Sequence, residues 1–331
     1  MTTPPDPEAL LSSGDVRAWL GNRIEGLARL RILKQASPGG FYVYEVSSHA
    51  GSAIVRIPVD HSGMQALRRE ERLVRELRPR VALEIPDTAL YSGSPGLPAF
   101  AIHTKVKGRP LTSAMFMRMA PVDRRRLVDD LVGFMLSLHT ADLDRACLWC
   151  GDGCEHRGSP AFLAQFGKPG WFDRDLVERS YARLSPHLGS ELSDVLAITL
   201  AEFEALDYSD SYLRLVHGDI HGYNLAMRKV SGAWRLTGVF DFGTAGVRDV
   251  HEDLFRLNFV DKELVRDTIA DYNANPDGPV CLNAARIVIY YRAFLFYLAI
   301  EKLDQGDIKG VRRCATLLRG YLDRDGRSDG R

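Results

Sequence analysis

The sequence predicts an α+β protein of two unequal lobes, a small antiparallel sheet with one helix followed by a larger, mainly helical part. Three observations predict it. Period-two segments alternate with turn clusters through the first hundred residues, and one helical stripe interrupts them. Beyond Pro110 long amphipathic patterns dominate, broken by one β-rich stretch from Tyr212 to Phe242. The 331 residues, 45% of them hydrophobic, suffice for one large core or two modest ones.

Each element has its own signal. Asp15 can cap a helix running through Trp19 and Ile24 that Gly26 ends. Leu30 and Ile32 alternate with Arg29 and Arg31 as in a half-buried strand. The turn Ser37-Pro38-Gly39-Gly40 then leads into the β-branched and aromatic run Phe41 to Val46. A turn around His49 to Gly51 precedes a third strand, Ala53 to Pro58, where proline sits at the end and needs no ladder donor. From 63 to 78 the period changes: Met64, Leu67, Val74 and Leu77 share a helical face with Leu73 beside them. Glu70 lies inside that stripe. A carboxylate facing a core requires a cation, and Arg56 in the preceding strand is the candidate. Residues 99–106 form another apolar strand, closed by Lys107-Gly108-Arg109-Pro110. Beyond it, Asp123 is expected to cap a helix lined by Leu127, Leu131, Phe134, Met135 and Leu138. Residues 147–171 are irregular, helices are expected over 173–206, and the apolar window Ile287–Ile300 reads as a buried core helix.

Composition excludes several classes. With 43 basic and 43 acidic residues the chain has no net charge, which argues against a basic nucleic-acid-binding face. The N-terminus shows no signal peptide. Arg292 interrupts the most apolar window, so no membrane span is expected and the cytoplasm is the default location. Five cysteines without a secretory signal argue against a disulfide framework. Cys147, Cys150, Cys154 and His156 could instead form a zinc set, against which stands a plain reduced loop, because all four ligands would lie on one short segment.

The informative stretch is His217-Gly-Asp219-Ile-His221-Gly-Tyr-Asn224. An apolar strand delivers a polar loop, and a hairpin turning at Ser231-Gly232 returns to Asp241-Phe242-Gly243. The two strands bring Asp219, Asn224 and Asp241 to one end of a small sheet. Two carboxylates and an amide oxygen are hard donors suited to Mg²⁺ with phosphate oxygens. Phosphoryl transfer from ATP requires a metal bridging the phosphates, a cation on them, and a base near the acceptor hydroxyl. Asp219 can serve as base, Asn224 and Asp241 as metal ligands, and Arg56 with Glu70 as the phosphate clamp. Either motif alone reads as a solvated turn; their order, spacing and strand contexts together point to a kinase.

At these residues the sequence resembles the aminoglycoside phosphotransferase and choline kinase-like superfamily, over about residues 25–300. HGDIHGYN is similar to its catalytic loop, and the segment from Asp241 to Leu254 to its metal segment. Ala99 to Leu111 resembles its hinge. The resemblance implies a two-lobed protein-kinase-like fold: residues 1–103 as the N-terminal lobe, 104–110 as the hinge, and 111–331 as the helical C-terminal lobe. It implies ATP and Mg²⁺ between the lobes and, as acceptor, a hydroxyl of a small molecule such as an aminoglycoside, nucleoside or macrolide antibiotic or a sugar-like metabolite. Asp219 would be catalytic, Asn224 and Asp241 metal-binding. Arg56, Glu70 and the backbone of Thr104 and Val106 would hold nucleotide. Arg56 stands where the family often has lysine, a planar fork in place of a point charge. His221 falls where a protein kinase has a phosphate-facing lysine, and is otherwise a solvent-facing loop histidine. His217 is expected to brace the loop on backbone near Asp241, and Asp253 to open a helix. A protein kinase, disfavoured by the lack of a long activation loop, and a silent nucleotide-binding protein are the alternatives. The part after residue 105 carries 30 basic and 32 acidic residues, which favours an acceptor of low positive charge.

Overall fold

The computed structural model describes residues 29–34, 40–48, 51–92, 99–150, 169, 171–189 and 191–325. The helix expected after Asp15, the Ser37–Gly39 turn and the segment holding Cys154 and His156 lie outside them. Five antiparallel strands form the first sheet: β1 (Arg29–Lys34), β2 (Phe41–Ser48), β3 (Gly51–Pro58), β4 (Thr88–Tyr91) and β5 (Phe100–Thr104), in the order β1-β2-β3-β5-β4. Side chains alternate across a pleated strand, so Tyr42, Tyr44, Val46, Val55, Ile57 and Phe100 share one face and bury a small core. Arg56, opposite Val43 and Ala101, therefore points to the other face. Strand β4, only four residues long, carries too short a pattern to stand out in the sequence.

Helix α1 (His61–Leu77) begins where Asp60 accepts the Gly63 N–H at 2.9 Å. Its buried stripe is Leu67, Glu70, Leu73, Val74 and Leu77. The last three join the main core, so this helix ties the sheet to the rest of the chain.

The remainder holds α2 (Ser113–Met117), α3 (Pro121–His139), α4 (Leu143–Cys150), α5 (Arg174–Leu188) and α6 (Glu191–Glu204), with α7 (Lys262–Ala274), α8 (Ala284–Asp304) and α9 (Ile308–Asp325) after the strands. Between them lie β6 (Arg109–Pro110), β7 (Leu213–Val216), β8 (Leu225–Val230), β9 (Ala233–Val239) and β10 (Gly246–Asp249). Strands β6, β8 and β9 form one small sheet, and β7 and β10 another. The β8–β9 hairpin turns at Ser231 and Gly232, both with positive φ.

Two sequence expectations are corrected here. Helix α3 starts two residues before Asp123: Pro121 occupies its first turn, and Asp123 sits inside that turn without capping it. Cys147 is disulfide-bonded, whereas Cys281 and Cys314 are free thiols. A sulfur in a disulfide has no thiolate to offer, which removes Cys147 from the proposed zinc set. The described residues contain no group of three or more His, Cys, Asp and Glu side chains that could hold a metal. None of their helices is long and apolar enough to cross a membrane; Arg292 of α8 is instead buried, its guanidinium bonded to Glu202.

Candidate active site

The loop that carries Asp219 leaves β7 at Val216 and returns through β8. Gly218 takes φ +75°, and a Cβ there would meet the Thr244 carbonyl at 2.9 Å. Gly222 is tighter still, because a Cβ would fall 2.0 Å from the Leu111 carbonyl oxygen. Only glycine lets the two backbones meet, as they do when Leu111 N–H donates to Gly222 O at 2.8 Å.

Asp253 anchors this loop from beneath. Its carboxylate accepts from the backbone N–H of His217 (3.1 Å) and of Gly218 (2.7 Å), and faces His139 Nε2 at 3.1 Å. His139 also meets the Tyr272 hydroxyl, so this histidine is packed and fully bonded. Asp253 thus braces the loop directly. It does not open an α-helix as expected, since residues 250–253 form a single 3₁₀ turn. His217 Nε2 donates to Phe240 O at 3.1 Å while its Nδ1 accepts from Asp219 N–H at 3.3 Å. Burial depresses the pKa of His217, which suits this neutral tautomer.

Asp219 is held on both oxygens. Arg256 Nε lies 3.4 Å from Oδ1. Asn224 Nδ2 lies 3.2 Å and His221 Nε2 3.6 Å from Oδ2. Burial pushes its pKa up, but the His221 contact and the Arg256 charge outweigh it and leave the carboxyl below the usual range. Asn224 also donates to the Asp219 carbonyl at 3.0 Å. Its NH₂ is therefore committed to Asp219, and its Oδ1 is the atom left to accept a cation.

Asp241 has φ +67° and ψ +65°, a left-handed conformation for a residue with a side chain. Such strain persists only where the surroundings impose it. It leaves the Asp241 carboxylate half exposed, with Oδ1 3.6 Å from Arg56 Nη1. Arg56 in turn donates to Glu70 Oε2 at 2.7 Å and lies over the Phe41 ring at 4.2 Å. Glu70 is buried, and burial pushes its pKa up to about 7 against the pull of Arg56 and a bond from the Phe242 backbone.

A cavity of about 660 Å³ opens between the first sheet and the Asp219 loop. Arg56, Glu70, Thr104, Val106, Asp219 and Asp241 all line it. Asn224 and His221 do not; the His221 ring faces Asp219, and its Nδ1 accepts the Tyr223 N–H at 3.2 Å. At the far end Thr104 N–H is spent on the Asp87 carbonyl (2.9 Å), and its Oγ1 accepts from Asp87 N–H at 2.7 Å. Thr104, Lys105 and Val106 all line the cavity there. His103 lies between sheet and cavity, its Nδ1 against Thr88 Oγ1 at 2.9 Å. Burial drives its pKa down to about 3, so the ring is neutral.

Sequence reasoning missed Arg256, whose approach to Asp219 depends on the fold of residues 250–259 into 3₁₀ turns. It also missed β10, hidden in the polar segment after Asp241.

With this geometry in view, the chain matches the model of the APH phosphotransferase enzyme family over residues 34–280, and it belongs to that family. It is a small-molecule kinase by class. Similar solved structures include the GDP complex of wild-type aminoglycoside 2'-phosphotransferase-IIIa, 18% identical over 93% of this chain and 98% of that one, with a TM-score of 0.68. The GDP and kanamycin complex of APH(2")-IIIa is 19% identical over 89% and 93%, with a TM-score of 0.65. A macrolide 2'-phosphotransferase type I is 16% identical over 96% and 99%, with a TM-score of 0.63. These likenesses establish the two-lobed kinase-like fold. No curated protein matches the sequence.

Proposed function

We propose that this phosphotransferase moves the γ-phosphoryl group of ATP to a hydroxyl of a small molecule of low positive charge. An antibiotic of macrolide or nucleoside type, or a sugar-like metabolite, fits that description. The observation that carries the reading is that Asp219, Asp241 and the Arg56–Glu70 pair line one cavity together with Thr104 and Val106. We read residues 104–110 as the hinge between a lobe of residues 1–103 and a lobe of residues 111–331.

In this reading Asp219 accepts the proton of the acceptor hydroxyl as its oxygen bonds to the γ-phosphorus. The bond from that phosphorus to the β–γ bridging oxygen breaks, and ADP leaves with that oxygen. Because its carboxyl is held below the usual range, Asp219 is ionised at neutral pH and ready to accept. Arg56 directs its fork toward the phosphates, and Glu70 fixes the fork's orientation. Asn224 Oδ1 and the Asp241 carboxylate are the hard oxygen donors that would hold Mg²⁺, which when bound neutralises charge on the phosphates. His221, turned to Asp219, steadies that carboxylate.

One similar solved structure holds GDP together with kanamycin, and another is ADP-bound. The test is therefore a screen of ATP and GTP against aminoglycosides, macrolides, nucleosides and sugars, read as phosphorylated acceptor by mass spectrometry. The reading expects a hydroxyl-dependent product. Nucleotide binding without transfer to any acceptor would favour a silent nucleotide-binding protein.

A further inference from the structure

The cation nearest Asp219, Arg256, does not line the nucleotide cavity. Arg256 is part-buried, with only 12% of its side chain exposed. Its guanidinium lies over two rings, Phe255 at 4.7 Å and Phe294 at 4.6 Å from their centroids. One nitrogen donates to the Gly218 carbonyl, and Nε faces Asp219 Oδ1. None of these three residues lines the nucleotide cavity, whereas Asp219 does. Trp171 and Tyr297 extend the same aromatic wall: Phe294 meets Trp171 at 5.4 Å and Tyr297 at 6.0 Å.

Besides Asp219, the acids around this cation, Glu252 and Asp253, are buried and not open to an acceptor. Asp253 is fully buried and spent on the His217 and Gly218 N–H groups. Glu252 is buried as well, and burial holds its carboxyl up at about 7. Arg248 adds a second positive charge near both.

We infer that Arg256 is a specificity-determining residue of the acceptor site: stacked on Phe255 and Phe294 beside Asp219, it selects hydroxyl acceptors with at most one positive charge and rejects polyamines. This rests on the phosphotransferase reading of Asp219. An acceptor must bring a hydroxyl to Asp219, and therefore within a few ångströms of the guanidinium. An acceptor with amines around that hydroxyl places like charges there, in a partly desolvated site where repulsion is weakly screened. A sugar or macrolide face has no such penalty and can lie against the aromatic wall.

The experiment compares kcat/KM for kanamycin, a polyamine, with that for erythromycin, which carries one amine, at low and physiological salt. It uses the wild-type chain, Arg256→Met and Arg256→Lys. Methionine keeps an apolar stem on the rings without the charge; lysine keeps the charge. The inference expects the wild type to prefer the monoamine. Arg256→Met should move the ratio toward kanamycin by about tenfold or more, and Arg256→Lys should not. Isothermal binding of each acceptor to the nucleotide-loaded protein should show the same change in ratio. A purely structural role would lower both acceptors together and leave the ratio alone, which would overturn the inference. So would a wild type that prefers kanamycin. Failure of every acceptor with every nucleotide would instead remove the phosphotransferase reading itself, and the inference with it. Thermal melting of each variant separates loss of fold from loss of selectivity.

Discussion

Beneath Asp219 the chain is pinned from several directions. Asp253 takes two loop N–H groups, His217 bridges Phe240 and Asp219, and Thr244 Oγ1 donates to the His217 carbonyl at 3.1 Å. Across the cavity, Arg56 is held by ion pairs to Glu70 and Asp241 and by the Phe41 ring, and Glu70 by Arg56 and a backbone bond from Phe242. The loop is thus set by folding: its bonds are buried, they are made to backbone, and they would be costly to leave unmade. The Arg56–Glu70 pair is set by charge. One wall of the cleft is scaffold and the other is charged.

The sharpest way to break that contrast is to remove an anchor on each wall. Asp253→Ala strips the acceptor from two buried N–H groups and from His139, and should cost about 3 kcal/mol or more of stability, along with activity. Glu70→Gln should cost far less, since burial already favours the neutral form of that side chain. Chemical denaturation of the two variants checks this; equal losses would erase the distinction.

The charged wall should show itself in nucleotide binding. Asp241→Ala should weaken Mg²⁺-dependent ATP binding by about tenfold or more while leaving metal-free binding nearly unchanged, measured by calorimetry with and without Mg²⁺. A smaller effect is expected within the clamp. A double-mutant cycle of Arg56→Met and Glu70→Gln on ATP affinity should give a coupling of about 1 kcal/mol, because the pair is one unit. Additive losses would place the phosphate contact elsewhere.

The asymmetry also explains what could be read in the sequence. The catalytic loop and the Asp241 segment were legible because their residues are neighbours in sequence and their chemistry is local. Glu70 was legible because a carboxylate on an apolar helical stripe demands a cation, and Arg56 is where that cation lies. Arg256 was not, because its contact with Asp219 joins residues 37 apart in the chain through 3₁₀ turns that leave no periodic pattern. The role of Asp253 was missed for a related reason: its sequence neighbours suggest a helix start, and only the fold carries its carboxylate to the His217 and Gly218 N–H groups. β4 and β10, four residues each, are too short for alternation to register.

The smallest effect expected is a pH dependence on the scaffold side. Burial raises the Glu252 carboxyl from 4.5 to about 7. The folded state then holds this proton more tightly than the unfolded chain. Its stabilising contribution is full below about 4.5 and is lost as pH rises through about 7. Glu252→Gln should flatten that part of the melting profile, and an unchanged slope would assign it to another group.

The central claim is that Asp219 acts on the acceptor while the nucleotide is held elsewhere. Asp219→Asn, nearly isosteric, tests it most directly in one paired measurement of ATP affinity and phosphoryl transfer to an acceptor found in the screen. The account expects transfer to fall by about 10²–10⁴-fold with ATP affinity and melting temperature nearly unchanged. A variant that keeps a tenth of the activity, or that loses nucleotide binding in step with transfer, would contradict it.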